Sequence, residues 1–243
     1  MFGDLGERQI GEIWYEAPDG THLPILVKWL FTSEKLSIQV HPSDSEARAR
    51  GLPSGKEECW YVVRAEPGAV LGIGTKKTLD PQELHAASLD GSIEGLMDWK
   101  PVKAGDFYYI PAGTVHAIGA GITLVEVQQY ADITYRLYDY GRPRELHLDD
   151  GVAVSKAAPY TDARSGHASH GDRLVDGPYF DLWLVEGAEQ LAALPAQRDR
   201  WIIPLSGAVH LGSDIAAIGD CLFAPSGAQI LGGENARLLV AAI

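Results

Sequence analysis

The sequence predicts a mainly β protein built as two antiparallel barrel-like units joined by a polar linker. Three observations predict it. Short apolar or alternating runs recur with turn residues between them, at 25–31, 36–41, 58–65, 69–73, 107–110, 122–129, 179–185, 200–205, 208–211, 221–224 and 237–242. Residues 105–116, "GDFYYIPAGTVH", and 219–230, "GDCLFAPSGAQI", carry the same pattern, G-D-x4-P-x-G-x2. Between them, residues 155–178 are small, polar and turn-rich. The expected organisation is a larger unit over 1–154, a linker over 155–178 and a smaller unit over 179–243.

Each element has a local reason. In the repeat, Gly-Asp makes a tight turn into a strand, the strand is apolar, and Pro-x-Gly ends it, which describes one hairpin of a barrel. The strand after each copy also corresponds, "TLVEV" at 123–127 with "RLLVA" at 237–241, and "ECWYVV" at 58–63 resembles "DRWIIP" at 199–204. Two places read as helix: 43–50, "SDSEARAR", and 80–98, where Asp80-Pro81 is a start and Gly91 divides two short helices.

Bulk composition narrows the function. The chain has 243 residues, 46% hydrophobic, enough for a sizeable core. Lys and Arg number 20 against 33 Asp and Glu, a formal net charge of −13. That balance argues against nucleic acid or an anionic membrane as partner, since both need clustered positive charge. An anionic substrate would have to meet a few placed cations. The two cysteines, Cys59 and Cys221, offer neither a disulfide framework nor a CxxC site. The N-terminal stretch lacks a basic start and apolar core, and "LPILVKWLF" is too short to span a bilayer and is broken by Lys28. The expectation is a soluble cytoplasmic protein, monomer or homodimer.

The chemistry concentrates in "LSIQVHP", residues 36–42. Leu36, Ile38 and Val40 form an apolar row, and Ser37, Gln39 and His41 a polar one. A spacing of two puts Gln39 and His41 on one strand face. Glu58, Trp60 and Val62 likewise share a face; alternation with Trp60 favours Glu58, with Glu57 as the alternative, and a carboxylate there needs a partner. His116 ends the first copy of the repeat, where the second has Ile230. Two imidazoles, a carboxylate and an amide oxygen suit a divalent metal such as Zn²⁺. His167 and His170 lie in the polar linker and are given no metal role. "GIGTKK" at 72–77 lacks P-loop spacing and reads as a turn.

G-x5-P-x-G-x2-H resembles the second motif of the cupin superfamily, double-stranded β-helix barrels related to jelly rolls, in which this His is a metal ligand; Gln39-x-His41 and Glu58 stand where the first motif supplies the others. "LSIQVHP", "GKEECWYVV", "GDFYYIPAGTVHAIGAG" and "EVQQYADITYRLYDYGRPRELHL", with "IGEIWYEA" before them, resemble the type I mannose-6-phosphate isomerases, in order, through roughly residues 10–150. The resemblance implies metal ligands at Gln39, His41, Glu58 and His116, and a phosphate contact at Ser37. It implies functional positions at Lys56, Glu126 and Arg136. This chain is short for the family, with no room for a large helical insertion, and its second unit is small.

Aldose–ketose isomerisation needs a base, a stabiliser for oxygen charge and a grip on the distant phosphate. Glu126, between Leu124 and Gln128 on the lining row, and Lys56 are the candidates for the base, Lys56 also for phosphate. Arg136 suits phosphate or an enediolate oxygen. The implied function is metal-dependent interconversion of mannose 6-phosphate and fructose 6-phosphate through an enediol. Two alternatives stand beside it, a non-catalytic sugar-phosphate-binding cupin and an iron-dependent cupin dioxygenase. In the second unit Ile230 and Val240 replace His116 and Glu126, so that unit is expected to hold no metal.

Overall fold

The structure, a computed structural model, describes residues 10–169 and 171–243; His170 lies outside the described residues. The chain divides into two compact units, one of residues Gly11–Ser165 and one that includes Gly166–Ile243. Residues 155–165, read from sequence as part of the linker, therefore belong with the first unit. Gly74 bridges to Pro159 and Thr114 to Lys156.

In the first unit the strands are β1 (Glu12–Tyr15), β2 (Ile25–Thr32), β3 (Ile38–Val40), β4 (Glu58–Ala65), β5 (Val70–Thr75), β6 (Met97–Pro101), β7 (Asp106–Ile110), β8 (His116–Ile118), β9 (Ile122–Gln129) and β10 (Tyr135–Tyr138). The helices are α1 (Asp44–Ala49), α2 (Pro81–Asp90), α3 (Ile93–Leu96) and α4 (Leu148–Val154). One sheet runs β1-β2-β9-β4-β7 and the other β10-β3-β8-β5-β6, and these neighbouring strands pair antiparallel. Leu30, Trp60, Val62, Leu71, Ile73, Ile110, Ile118 and Leu124 pack together between the sheets. The second sheet buries its other face too: Ile38, Val40, Ala117 and Leu137 pack against Leu84, Ala87 and Ile93 of α2 and α3 and Val154 of α4.

That helical layer explains the alternation in "LSIQVHP". Ile38 and Val40 face the helices, so Gln39 and His41 are left facing the other sheet. The helices themselves follow local rules. Ser43 and Asp80 close capping boxes with Glu46 and Glu83. Gly91, at φ +83°, ends α2 in the left-handed conformation that glycine adopts freely. Helix α4 and strands β6, β8 and β10 were not anticipated from the sequence.

The second unit contains β11 (Gly166–His167), β12 (Arg173–Asp176), β13 (Asp181–Glu186), α5 (Gly187–Ala192), β14 (Arg200–Ser206), β15 (Ala208–Leu211), β16 (Asp214–Ala217), β17 (Leu222–Ala224), β18 (Leu231–Gly232) and β19 (Arg237–Ala242). Its sheets run β12-β13-β19-β14-β17 and β16-β15-β18. The repeat is real in three dimensions, with one adjustment. Glu58 pairs with Ile110 and Gln128, and Arg200 with Ala224 and Ala242. Arg200, rather than Asp199, thus stands at the position of Glu58, and Ile202, rather than Trp201, at that of Trp60.

Candidate metal centre and active site

Two facing sheets deliver the polar groups. From the second sheet come Gln39 and His41, at the end of β3, and His116, which opens β8; Gln39 and His116 are register partners. From the first come Glu58 and Trp60 on β4, Gln128 and Glu126 on β9, and Lys28 on β2. The ladder places Lys28, Glu126 and Trp60 in one cross-strand row and Gln128 beside Glu58 in the next.

The loop between His41 and Glu58 returns through a close approach at Gly55. A Cβ there would lie 2.4 Å from the Ser43 backbone carbon and 2.5 Å from the Pro42 oxygen. Gly55 N–H donates to Asp44 Oδ1 at 2.8 Å and Lys56 N–H to the Pro42 carbonyl at 3.0 Å. The loop is thereby fastened to the residues directly after His41, and Lys56 enters the interior beside Glu58.

His41, Glu58 and His116 bring one ligand atom each to within 4.8 Å of one another, and all three are buried. His41 Nε2 and His116 Nε2 each lie 3.4 Å from a Glu58 oxygen. His116 Nδ1–H can donate to the Thr114 carbonyl at 2.8 Å, leaving the Nε2 lone pair toward the centre. Neither nitrogen of His41 and neither oxygen of Glu58 has a well-formed hydrogen-bond partner. Buried polar atoms in native proteins are rarely left so, and one converging ligand atom from each of His41, Glu58 and His116 fits a divalent cation. Gln39 adds an amide beside His116, Nε2 to Nε2 at 3.3 Å, while Ser37 Oγ donates to Gln39 Oε1 at 3.3 Å. An amide carries a donor and an acceptor, so either end can be presented to the centre.

The electrostatics agree. Burial drives the pKa of His41 down to about 3 and lowers that of His116, so both rings are neutral ligands at pH 7. Burial opposes the charge on Glu58, yet Lys56 and the two histidines outweigh it and hold the carboxyl well below its ordinary range. For Lys56, 5% exposed, burial is likewise outweighed by Glu58 and Glu126, and the ammonium sits above its ordinary value. Its Nζ is 3.0 Å from Glu58 and 4.0 Å from Glu126.

Glu126 is held on both sides: Trp60 Nε1–H donates to its Oε2 at 3.0 Å and Lys28 Nζ lies 3.3 Å from its Oε1. Lys28 was missed as a site residue in the sequence. The available signal was a lone lysine within the apolar run "ILVKWLF"; it is buried, and the Trp14 ring covers its ammonium at 4.1 Å. Arg136 pairs with Gln39 across β10 and β3. It is half-buried, gives one Nη1–H to the Glu145 carbonyl at 2.9 Å and leaves Nε without a partner. Ser37 is buried one step along the Gln39 face.

No protein-family model matches the chain. Over 217 residues, 84% of its length, it is 35% identical to a mannose-6-phosphate isomerase of Streptococcus mutans and spans 68% of that protein. It is 36% identical over 187 residues to mannose-6-phosphate isomerase ManA of Bacillus subtilis, with 71% of this chain and 59% of the relative covered. The crystal structure of mannose 6-phosphate isomerase from Bacillus subtilis superposes with a TM-score of 0.73 at 30% identity, covering 91% of this chain and 76% of that one. A mutant phosphomannose isomerase from Salmonella typhimurium shares the fold, with a TM-score of 0.64, 14% identity and coverage of 90% and 79%.

Proposed function

The chain belongs to the mannose-6-phosphate isomerase family of sugar-phosphate isomerases, and we propose that its first unit interconverts mannose 6-phosphate and fructose 6-phosphate with a bound zinc ion. The observation that carries this reading is the buried His41–Glu58–His116 cluster, whose three ligand atoms converge within 4.8 Å, beside a row of acid and base groups. His41, Glu58, His116 and the Gln39 amide would hold the metal. When bound, the ion supplies Lewis-acid charge where oxygen becomes negative during the reaction.

The remaining steps fall to this chain's own side chains. Glu126 takes the proton from C2 of the open-chain aldose while the C1 oxygen is protonated, giving the cis-enediol. It then returns a proton to C1 while the C2 hydroxyl loses its own, giving the ketose. Lys28 and Trp60 fix the Glu126 carboxylate in place. Lys56, kept cationic by Glu58 and Glu126, serves better as a proton donor and charge stabiliser at the sugar oxygens than as the base. Arg136, with its free Nε, and the Ser37 hydroxyl grip the phosphate. Three placed cations thus reconcile an anionic substrate with a net charge of −13.

Both cysteines are free, which suits a cytoplasmic setting. Among the described residues no helix is long and apolar enough to cross a membrane. The test is a coupled assay of purified protein with saturating Zn²⁺: turnover of mannose 6-phosphate to fructose 6-phosphate is expected, and tight binding without turnover would overturn the reading.

A further inference from the structure

The strand ladders of the two units correspond in register, so their interiors can be compared position by position. Glu58 lies between Gln128 and Ile110; Arg200 lies between Ala242 and Ala224. Trp60 opposes Glu126; Ile202 opposes Val240. Lys28 opposes Glu126; Trp183 opposes Val240. Ile202, Ala224, Val240 and Ala242 all belong to the buried cluster of the second unit, so Arg200 shares their inward face. The charge at the metal-ligating position is inverted.

Arg200 is 4% exposed as a whole residue. One Nη2–H donates to the Ala228 carbonyl at 2.7 Å, and Nε has no partner. Among the described residues no carboxylate pairs with it. Asp181 stands on the same row beyond Ala242, but its oxygens are held by Arg173 and Arg198. Burial lowers the Arg200 pKa and no neighbouring carboxylate offsets it. A guanidinium does not shed its proton in a protein, and buried charges are normally paired. This one remains a cation without a protein counter-ion.

The side chains around it are smaller than those around Glu58. The large neighbours of Glu58, namely Gln128, Ile110 and Trp60, become Ala242, Ala224 and Ile202. The strand that brings Gln39 and His41 has no counterpart either, since α5 takes its place between β13 and β14. The Ala228 carbonyl belongs to a turn whose Ser226 and Gly227 are exposed, so the cation lies just beneath the surface.

We propose that Arg200 anchors an anion site in the second unit, accepting a phosphate or carboxylate group on its planar donor fork. The site is separate from the metal centre and does not depend on the isomerase reading. Thermal unfolding of the full chain tests it, comparing wild type with Arg200→Met at constant ionic strength. One arm titrates inorganic phosphate, a second succinate and a third chloride. Phosphate bound at the catalytic centre stabilises both proteins alike and cancels in their difference. The wild-type Tm is expected to rise relative to the variant by about 3–5 °C for each tenfold increase of anion above its Kd. The arm that does so identifies the anion class, and chloride leaves the gap unchanged. The KM for mannose 6-phosphate stays the same in the variant. Should Arg200→Met not fold, Arg200→Lys, which keeps the charge but not the fork, is expected to widen the gap less steeply. A gap that ignores both phosphate and succinate overturns the proposal.

Discussion

Lys28 and Glu126 face each other across the β2–β9 ladder, Nζ 3.3 Å from Oε1, and both are buried. On its other flank Glu126 meets Trp60. A carboxylate held at both oxygens is poised in orientation as well as charge, which a proton-transferring group requires. Glu126→Gln is therefore expected to lower kcat by about 10²–10⁴-fold with metal content unchanged. Lys28→Met is expected to lower kcat by about 10-fold or more, since the carboxylate loses one of its two holders. Steady-state kinetics with metal analysis of the same samples checks both; loss of metal in Glu126→Gln would remove that residue from its catalytic role.

The metal centre makes its own prediction. Wild-type protein is expected to carry about one divalent ion per chain, and His116→Ala and His41→Ala almost none, since each removes one of few ligands. A chelator should abolish turnover and added Zn²⁺ restore it. Metal analysis after gel filtration, with activity on the same fractions, decides the matter.

The pH dependence of the metal-free protein follows from the same groups. His41, at about 3, and His116 are depressed in the folded state, so an unfolded chain with ordinary values near 6.5 binds more protons over that interval. Stability then rises with pH and is lost progressively as pH falls from about 6.5 toward 3. Glu58, also depressed, acts in the same direction on further acidification. Denaturant midpoints of the chelated wild type between pH 8 and 5 should decline, and those of His41→Ala should decline less.

Arg136 is expected to separate binding from chemistry. Arg136→Ala removes a charge-assisted contact worth about 1.5–3 kcal/mol, so KM for mannose 6-phosphate should rise by about 10–100-fold with a smaller change in kcat. Arg136→Lys should recover only part, because an ammonium lacks the fork. Equal loss of kcat with KM unchanged would move Arg136 from the phosphate to the reacting oxygens.

Gly55 is the packing counterpart of these tests. A methyl group there would meet the backbone of Pro42, Ser43 and Asp44 at 2.4–2.5 Å, atoms that cannot swing aside. Gly55→Ala is expected to cost about 1–3 kcal/mol and to reduce activity by displacing Lys56. Thermal unfolding and kcat report the two effects, and an unchanged Tm would mean the loop is not fixed as described.

What could be read from the sequence was whatever alternates. Gln39 and His41, and Glu58 and Trp60, obey the period of two, so the sequence exposed their faces; the repeated G-D-x4-P-x-G turns marked two like hairpins, and the barrel type was implied by the family resemblance. Lys28 obeys it too, but a lysine in an apolar run reads as an interruption until the opposite strand supplies Glu126. Strand β6 follows directly on α3 without a turn residue, and β10 is short, so neither stood out. Helix α4 has no capping side chain at His147. The position of Arg200 depended on register, which a gapped match between "ECWYVV" and "DRWIIP" places one residue out.

Gln39 and His116 are the register partners that join β3 to β8, and they stand 77 positions apart in the chain. During synthesis His116 appears only after β1 through β7 have been made. Ion capture at full strength is accordingly a late event, deferred until the two sheets have closed on each other.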